Sequence, residues 1–270
     1  MKTTLKFAVL CLLGLAPLVL LFVACVSGGG SGSSSQRGLT VEEISQGESD
    51  ITVFPQVGHI SQIWSVAFSP NGRHIISSGS DVLGGNVARL WDTNNYRELR
   101  TLEGAYRAAF SPDGRYIATC DKSDVKIWNS QNGQLLQIFS GHRDPVDSLA
   151  YSNNGKRIVS ASEKQIIIWD VERGRKLRTL SANWGRYNMI QSVSFSLDDR
   201  YIVSGSAGSN SFGNGFNGRI IVWNAENGRI VRDFKNLNTF NIYSVSFHPN
   251  GKYILSGSGD KTVREWDKDS

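Results

Sequence analysis

Five tryptophans in this chain are each followed by Asp or Asn, and their spacing sets what it can fold into. Trp91-Asp92, Trp128-Asn129, Trp169-Asp170, Trp223-Asn224 and Trp266-Asp267 stand 37, 41, 54 and 43 residues apart. Self-similarity at a fixed period marks a repeat architecture, in which one supersecondary unit cannot bury its own faces and must stack on copies of itself.

Each unit reads as β structure. Ahead of every Trp lies a tight-turn tetrad: Ser69-Pro70-Asn71-Gly72, Ser111-Pro112-Asp113-Gly114, Ser152-Asn153-Asn154-Gly155, Ser196-Leu197-Asp198-Asp199 and His248-Pro249-Asn250-Gly251. Pro presets φ in such turns, and Asn or Asp followed by Gly tolerates positive φ. A Val/Ala/Phe run such as Ser192-Val193-Ser194-Phe195 precedes the turn, and an Ile/Val/Ser run such as Tyr201-Ile202-Val203-Ser204 follows it. These pairs read as antiparallel hairpins. A third strand ends at the Trp, as in Gln165-Ile166-Ile167-Ile168-Trp169, and a fourth follows a second turn, as in Arg175 to Leu180.

The pattern resembles the WD-repeat (β-transducin-type) β-propeller family over roughly residues 51 to 267. The resemblance implies an all-β propeller of four-stranded antiparallel blades, with five repeats visible. It also implies a structural tetrad of His, Ser/Thr, Asp and Trp in each blade. The matching residues are His59, Ser78, Asp81 and Trp91 in the first repeat, His142, Ser160 and Trp169 in the third, and Ser256, Asp260 and Trp266 in the fifth. The third repeat has Glu163-Lys164 where the turn Asp belongs, so its tetrad is incomplete. Ile51 to Val57 reads as an outer strand with no repeat of its own, and the chain stops at Ser270 without a fourth strand after Trp266. Residues 51–57 are therefore expected to close the ring. A closed five-bladed ring, a fragment of a longer propeller and a ring sharing blades with another chain all fit this offset.

Ahead of the repeats, Met1 to Lys6 carries two lysines and Phe7 to Val26 is almost wholly apolar, the pattern of an export signal. Its end, Phe22-Val23-Ala24-Cys25, resembles a bacterial lipoprotein signal, although Phe22 stands where that signal usually has Leu. The resemblance implies a signal peptide at 1–24, a lipidated Cys25 and a tether at 25–50, ahead of a propeller at 51–270. Residues 27–35 are Gly and Ser only, which suits a flexible tether. The alternative is an uncleaved transmembrane anchor. Either places the repeats outside the cytoplasm, in a bacterial cell envelope and held at a membrane.

Charged residues at 20% and aromatics at 10% fit a folded chain rather than a disordered one. The formal charge of +5 falls to +3 without Lys2 and Lys6, too little and too scattered to argue for nucleic acid. His59, His74, His142 and His248 have neither metal-ligand nor catalytic-triad spacing, and Cys120 lies alone on an apolar strand. Asp198 and Asp199 are turn residues with local hydrogen bonding. The sequence thus gives no enzyme, metal or cofactor reading.

For binding, two features stand out. Trp64, Tyr106, Asp147, Gln191 and Tyr243 occupy one position in the five repeats, at the start of the innermost strand near the top mouth of a central channel. Phe212 and Phe216 lie in an extended Gly/Asn loop on the same face. Trp and Tyr are favoured anchors in protein recognition. The expectation is a membrane-anchored protein-interaction scaffold. Its alternatives are a structural subunit of a larger propeller and a channel that binds a carbohydrate or other small ligand.

Overall fold

The computed structural model describes residues 58–59, 62–80, 85–181, 188–208, 218–234 and 240–269. Within them there is no α-helix, and the strands form five antiparallel sheets in chain order. The first holds β1 (Ile63–Phe68), β2 (His74–Ser80), β3 (Asn86–Asp92) and β4 (Glu98–Glu103). The second holds β5 (Arg107–Phe110), β6 (Tyr116–Asp121), β7 (Asp124–Asn129) and β8 (Leu135–Ser140). The third holds β9 (Val146–Tyr151), β10 (Arg157–Ser162), β11 (Ile166–Asp170) and β12 (Arg175–Leu180). The fourth holds β13 (Asn188–Phe195), β14 (Tyr201–Gly208), β15 (Arg219–Asn224) and β16 (Ile230–Phe234). The fifth has three strands, β17 (Ile242–Phe247), β18 (Tyr253–Ser258) and β19 (Val263–Asp267). The proposed strand at 51–57 lies outside the described residues, as do Cys25, Asp81, Phe212 and Phe216.

The sheets pack face to face, and period-two alternation assigns each side chain to a neighbour. In β11, Ile167 and Trp169 join a cluster with the second sheet, whereas Ile166 and Ile168 join a cluster with the fourth. In β15, Ile221 and Trp223 face the third sheet, and Ile220 and Val222 face the fifth. A strand covered on both faces needs an unbroken apolar run, which is why these strands read Ile-Ile-Ile and Ile-Ile-Val. Fully burying one such side chain contributes about 1.5–3 kcal/mol, so the inter-sheet clusters dominate stability.

The hairpin turns repeat one device. The Ser69 hydroxyl donates to Asn71 Oδ1 at 2.8 Å and accepts from His74 N at 2.9 Å. The same Ser recurs at 111, 152 and 196. The last turn residue takes positive φ, +71° at Gly155 and +59° at Asp199. Asp199 is therefore a residue without glycine's freedom in a glycine conformation. Its carboxylate accepts from Asn153 N at 2.6 Å and Asn154 N at 3.0 Å, and its carbonyl accepts from Arg157 at 2.7 Å. This corrects the expectation of purely local bonding. Asp198 does bond locally, to Ser196 and Arg200 N, but Asp199 bolts the fourth sheet's turn onto the third's.

Within each sheet the repeat Trp is tied to a hydroxyl on the second strand. Indole Nε1 donates to Ser77 at 2.8 Å, Thr119 at 2.8 Å, Ser160 at 2.7 Å, Ser204 at 2.8 Å and Ser256 at 2.8 Å. In the first sheet the partner is Ser77, not Ser78 as expected. Trp91 pairs across strands with Ile75, and the bonded hydroxyl lies two residues on, on the same face. Ser78 points to the opposite face and donates to the Tyr106 carbonyl at 2.9 Å. His59 Nε2 meets Ser77 Oγ at 2.9 Å.

His142, in the connection ahead of β9, sits between two hydroxyls of β10, Nε2 to Ser160 at 2.6 Å and Nδ1 to Ser162 at 3.0 Å. Because Ser160 accepts from Trp169, its own proton goes to Nε2, and this pattern assigns the imidazole proton to Nδ1, which donates to Ser162. Ser162 thus does the work expected of a turn Asp. In the fifth sheet Asp260 holds its own turn instead, accepting from Thr262 Oγ1 at 2.6 Å and pairing with Arg264 at 2.7 Å.

Two outcomes are expected. Ser160→Ala strands a buried indole N–H and a buried imidazole, and should cost about 2 kcal/mol in urea unfolding, whereas Ser78→Ala should cost about half that. Equal losses would remove the special role of the Trp-bonded hydroxyl. The second concerns pH. Burial, and secondarily Lys176, push His142 from 6.5 down to about 4. A group whose folded pKa is depressed in this way disfavours the fold once the unfolded chain binds its proton. Stability should be full above about pH 6.5 and fall between about 6.5 and 4, by about 3 kcal/mol at most. Asp147, raised by burial, acts in the opposite sense over part of that window. Unfolding curves at several pH values check this, with His142→Gln expected to lose the slope.

Candidate functional site

The first strands of the five sheets, β1, β5, β9, β13 and β17, together line a pocket of about 490 Å³, the channel of the expected propeller. Serine hydroxyls link neighbouring inner strands. Ser148 accepts from Val193 N and Ser192 accepts from Val245 N, both at 3.1 Å, and Ser65 donates to the Ala108 carbonyl at 3.4 Å. These bonds satisfy backbone groups that the ordinary ladder leaves facing the channel.

Four of the five expected rim residues sit on this wall, each where the strand register shifts. The pairing skips Trp64 between Ile63 and Ser65, Asp147 between Val146 and Ser148, Gln191 between Ile190 and Ser192, and Tyr243 between Ile242 and Ser244. A bulge adds one residue and re-aims its side chain, which is how these four come to line the channel.

The second sheet differs. Tyr106 packs against the cluster between the second and third sheets and does not line the channel, a correction to its expected place. Its ring still meets Trp64, with centroids 5.5 Å apart. The wall residue here is Arg107, where the other four repeats have Ser65, Ser148, Ser192 and Ser244. Arg107 Nε donates to the Asp147 carbonyl at 3.0 Å, and Nη1 donates to the Trp64 carbonyl. Its guanidinium also lies 5.1 Å from the centre of the Tyr106 ring. One side chain therefore braces three inner strands at the mouth.

The electrostatics are mixed. Burial raises the Asp147 carboxyl above its ordinary range; Arg107 partly offsets this and Glu163 adds to it. The Trp64 indole N–H is buried with no acceptor among the described residues. A buried donor left unpaired costs about 1–3 kcal/mol, so an incoming acceptor gains that much here. Asn241 donates to Tyr243 Oη at 3.3 Å, which leaves the phenolic proton available to a ligand.

Elsewhere, chemistry is sparse. Cys120 is fully buried, donates to the Val146 carbonyl at 3.1 Å, and is pushed up to about 12 by that burial. It is a core thiol, not a nucleophile. Among the described residues no three His, Cys, Asp or Glu side chains are grouped to hold a metal ion. Sequence reasoning missed Arg107, Asp199, Ser77 and Ser162. Arg107 and Asp199 had a visible signal, since each breaks its repeat column.

The family profile described as WD domain, G-beta repeat, matches residues 50–92, 97–129, 133–170, 174–224 and 231–267. Among curated relatives, the COMPASS component SWD3 of Saccharomyces cerevisiae is 30% identical over 214 residues, covering 74% of this chain and 62% of that protein. Periodic tryptophan protein 2 of the same yeast is 28% identical over 153 residues, 38% of this chain and 16% of its own length. The small ribosomal subunit protein RACK1 of Candida albicans is 35% identical over 83 residues, 30% of this chain and 25% of that protein. The chain spans less than two thirds of the length of each of these relatives. Five matched repeats, covering most of the sequence and each offset by one strand from the five sheets, establish that the chain belongs to the WD-domain, G-beta repeat family.

Proposed function

We propose that this protein is an interaction scaffold that docks a protein partner at the channel mouth and is held at a membrane of the bacterial cell envelope through Cys25. The observation that carries the docking reading is the buried indole N–H of Trp64, which has no acceptor among the described residues. The same wall carries Tyr243, Gln191 and Asp147, whose carboxyl is raised by burial. A large aromatic with an unsatisfied donor is the kind of anchor that a partner's carbonyl or side chain completes. The Gly/Asn-rich stretch with Phe212 and Phe216, outside the described residues, is proposed as a second contact on the same face. The membrane reading rests on the apolar run ending in Phe22-Val23-Ala24-Cys25 and on the Gly/Ser tether that follows. Lipid chains contribute about 0.8 kcal/mol per buried methylene, enough to hold the domain when two or more are attached.

A second reading, a subunit completed by other blades, is favoured by one feature. Buried clusters join the first sheet to the second, the second to the third, the third to the fourth and the fourth to the fifth. Val263, on the three-stranded fifth sheet, is 74% exposed. Residues 51–57 are proposed to supply the fourth strand of that sheet.

One experiment separates anchor from mouth: cross-linking of the full chain in isolated membranes, followed by affinity purification. Trp64→Ala with Tyr243→Ala should weaken partner recovery by about tenfold or more while leaving the protein in the membrane fraction. Cys25→Ser should release it from the membrane and from fatty-acid labelling. A partner retained by the mouth variant but lost with Phe212→Ala and Phe216→Ala would move the site to the loop. Cys25→Ser protein that stays lipid-labelled would remove the anchor.

A further inference from the structure

Four of the five sheets have a last described strand that is guarded by charge. β4 carries Glu98, Arg100 and Glu103; β12 carries Arg175, Lys176 and Arg178. β16 carries Arg232 and Asp233, and β19 carries Arg264, Glu265 and Asp267. β8 carries none: it reads Leu-Leu-Gln-Ile-Phe-Ser, and no charged residue occurs from Asn129 to Ser140. Its apolar side chains are also open to solvent, with Leu135 40%, Leu136 42% and Ile138 51% exposed. Sheet edges expose unpaired backbone groups, and charged side chains are the usual guard against pairing with another strand. β8 is such an edge without the guard.

We propose that β8 is a self-association edge, at which two copies of this chain pair β8 with β8, antiparallel about a two-fold axis, to join their second sheets into one. The occupant follows from charge. A strand paired with its own reversed copy places its residues opposite the same set, and like charges directly opposite are destabilising. β12 would set three cations against three cations. β8 sets only uncharged side chains against one another. Leu136 and Ile138 share one face by the two-residue period, so they meet the same pair from the other copy. A two-fold interface of this kind is satisfied by a single patch and closes on itself, leaving no free edge for a third copy. One short strand buries well under the roughly 1,200 Å² of a stable complex, so the dimer is weak and depends on concentration.

Sedimentation velocity of the full chain, at a series of concentrations in one detergent, tests this. The wild type should shift from monomer toward dimer as concentration rises. Leu136→Lys with Ile138→Lys should stay monomeric at every concentration, and Ile138→Lys alone should weaken the dimer by about tenfold. Val231→Lys, an equally exposed site on β16, should behave as wild type. Far-ultraviolet circular dichroism and urea midpoints should be unchanged in all three, since these side chains face solvent. A wild type that remains monomeric throughout overturns the proposal, as does a dimer that survives the double substitution or is lost with Val231→Lys.

Discussion

Each sheet depends on the bond from its tryptophan indole to a hydroxyl on the neighbouring strand. The indole lies at the end of the third strand and reaches the second, at 2.7–2.8 Å in all five sheets. It thereby fixes where the largest apolar side chain of the repeat sits, on the face turned to the preceding sheet. Trp128 packs against the first sheet, Trp169 against the second and Trp223 against the third. A buried indole N–H without an acceptor costs about as much as one hydrogen bond contributes or more, so the hydroxyl is what allows a Trp to be buried there at all.

The sheet-to-sheet junctions are not equal. Between the third and fourth sheets lie the Asp199 carboxylate bridge, the Ser148 bond to Val193 N and a cluster containing Ile166, Ile168 and Trp223. Between the first and second the described polar links include the Ser65 bond at 3.4 Å, the Ser78 bond, the Arg107 brace and the exposed Arg100 guanidinium on the Gln131 carbonyl at 2.9 and 2.6 Å. Trp169 and Trp223 are 2% and 1% exposed and Trp128 is 9% exposed, while Trp91 and Trp266 are only half-buried. In a stack of units, stability adds through neighbour interfaces, so a rigid centre with softer ends follows from the arrangement. The channel mouth is built across this gradient, with Trp64 and Tyr243 at its softer side and Asp147 and Gln191 at its firm one.

Much of this was legible from residue order. Repeat number, strand identity and the wall positions of Trp64, Asp147, Gln191 and Tyr243 follow from a fixed offset to the turn, because a hairpin locks register. The choice between Ser77 and Ser78 was not, since a shift of one residue moves a side chain to the other face and both candidates are serine. Ser162 was illegible for a related reason: only the folded turn brings it to His142 Nδ1. Arg107 and Asp199 act between sheets, and a single repeat read along the chain holds no information about what the next sheet presents. Asn153 offers a clue in retrospect, as it supplies a backbone N–H where three other repeats have Pro.

The most direct measurement is hydrogen exchange of the tryptophan indole N–H groups by nuclear magnetic resonance, in the chain with and without residues 51–57. The account predicts that Trp169 and Trp223 exchange slowest, Trp128 next, and Trp91 and Trp266 fastest. Removing residues 51–57 should speed Trp91 and Trp266 and leave Trp169 as it was, because the segment is proposed to complete only the fifth sheet. Exchange at one common rate for all five, or a deletion that loosens Trp169 as much as Trp266, would contradict both the graded stack and the role given to that segment.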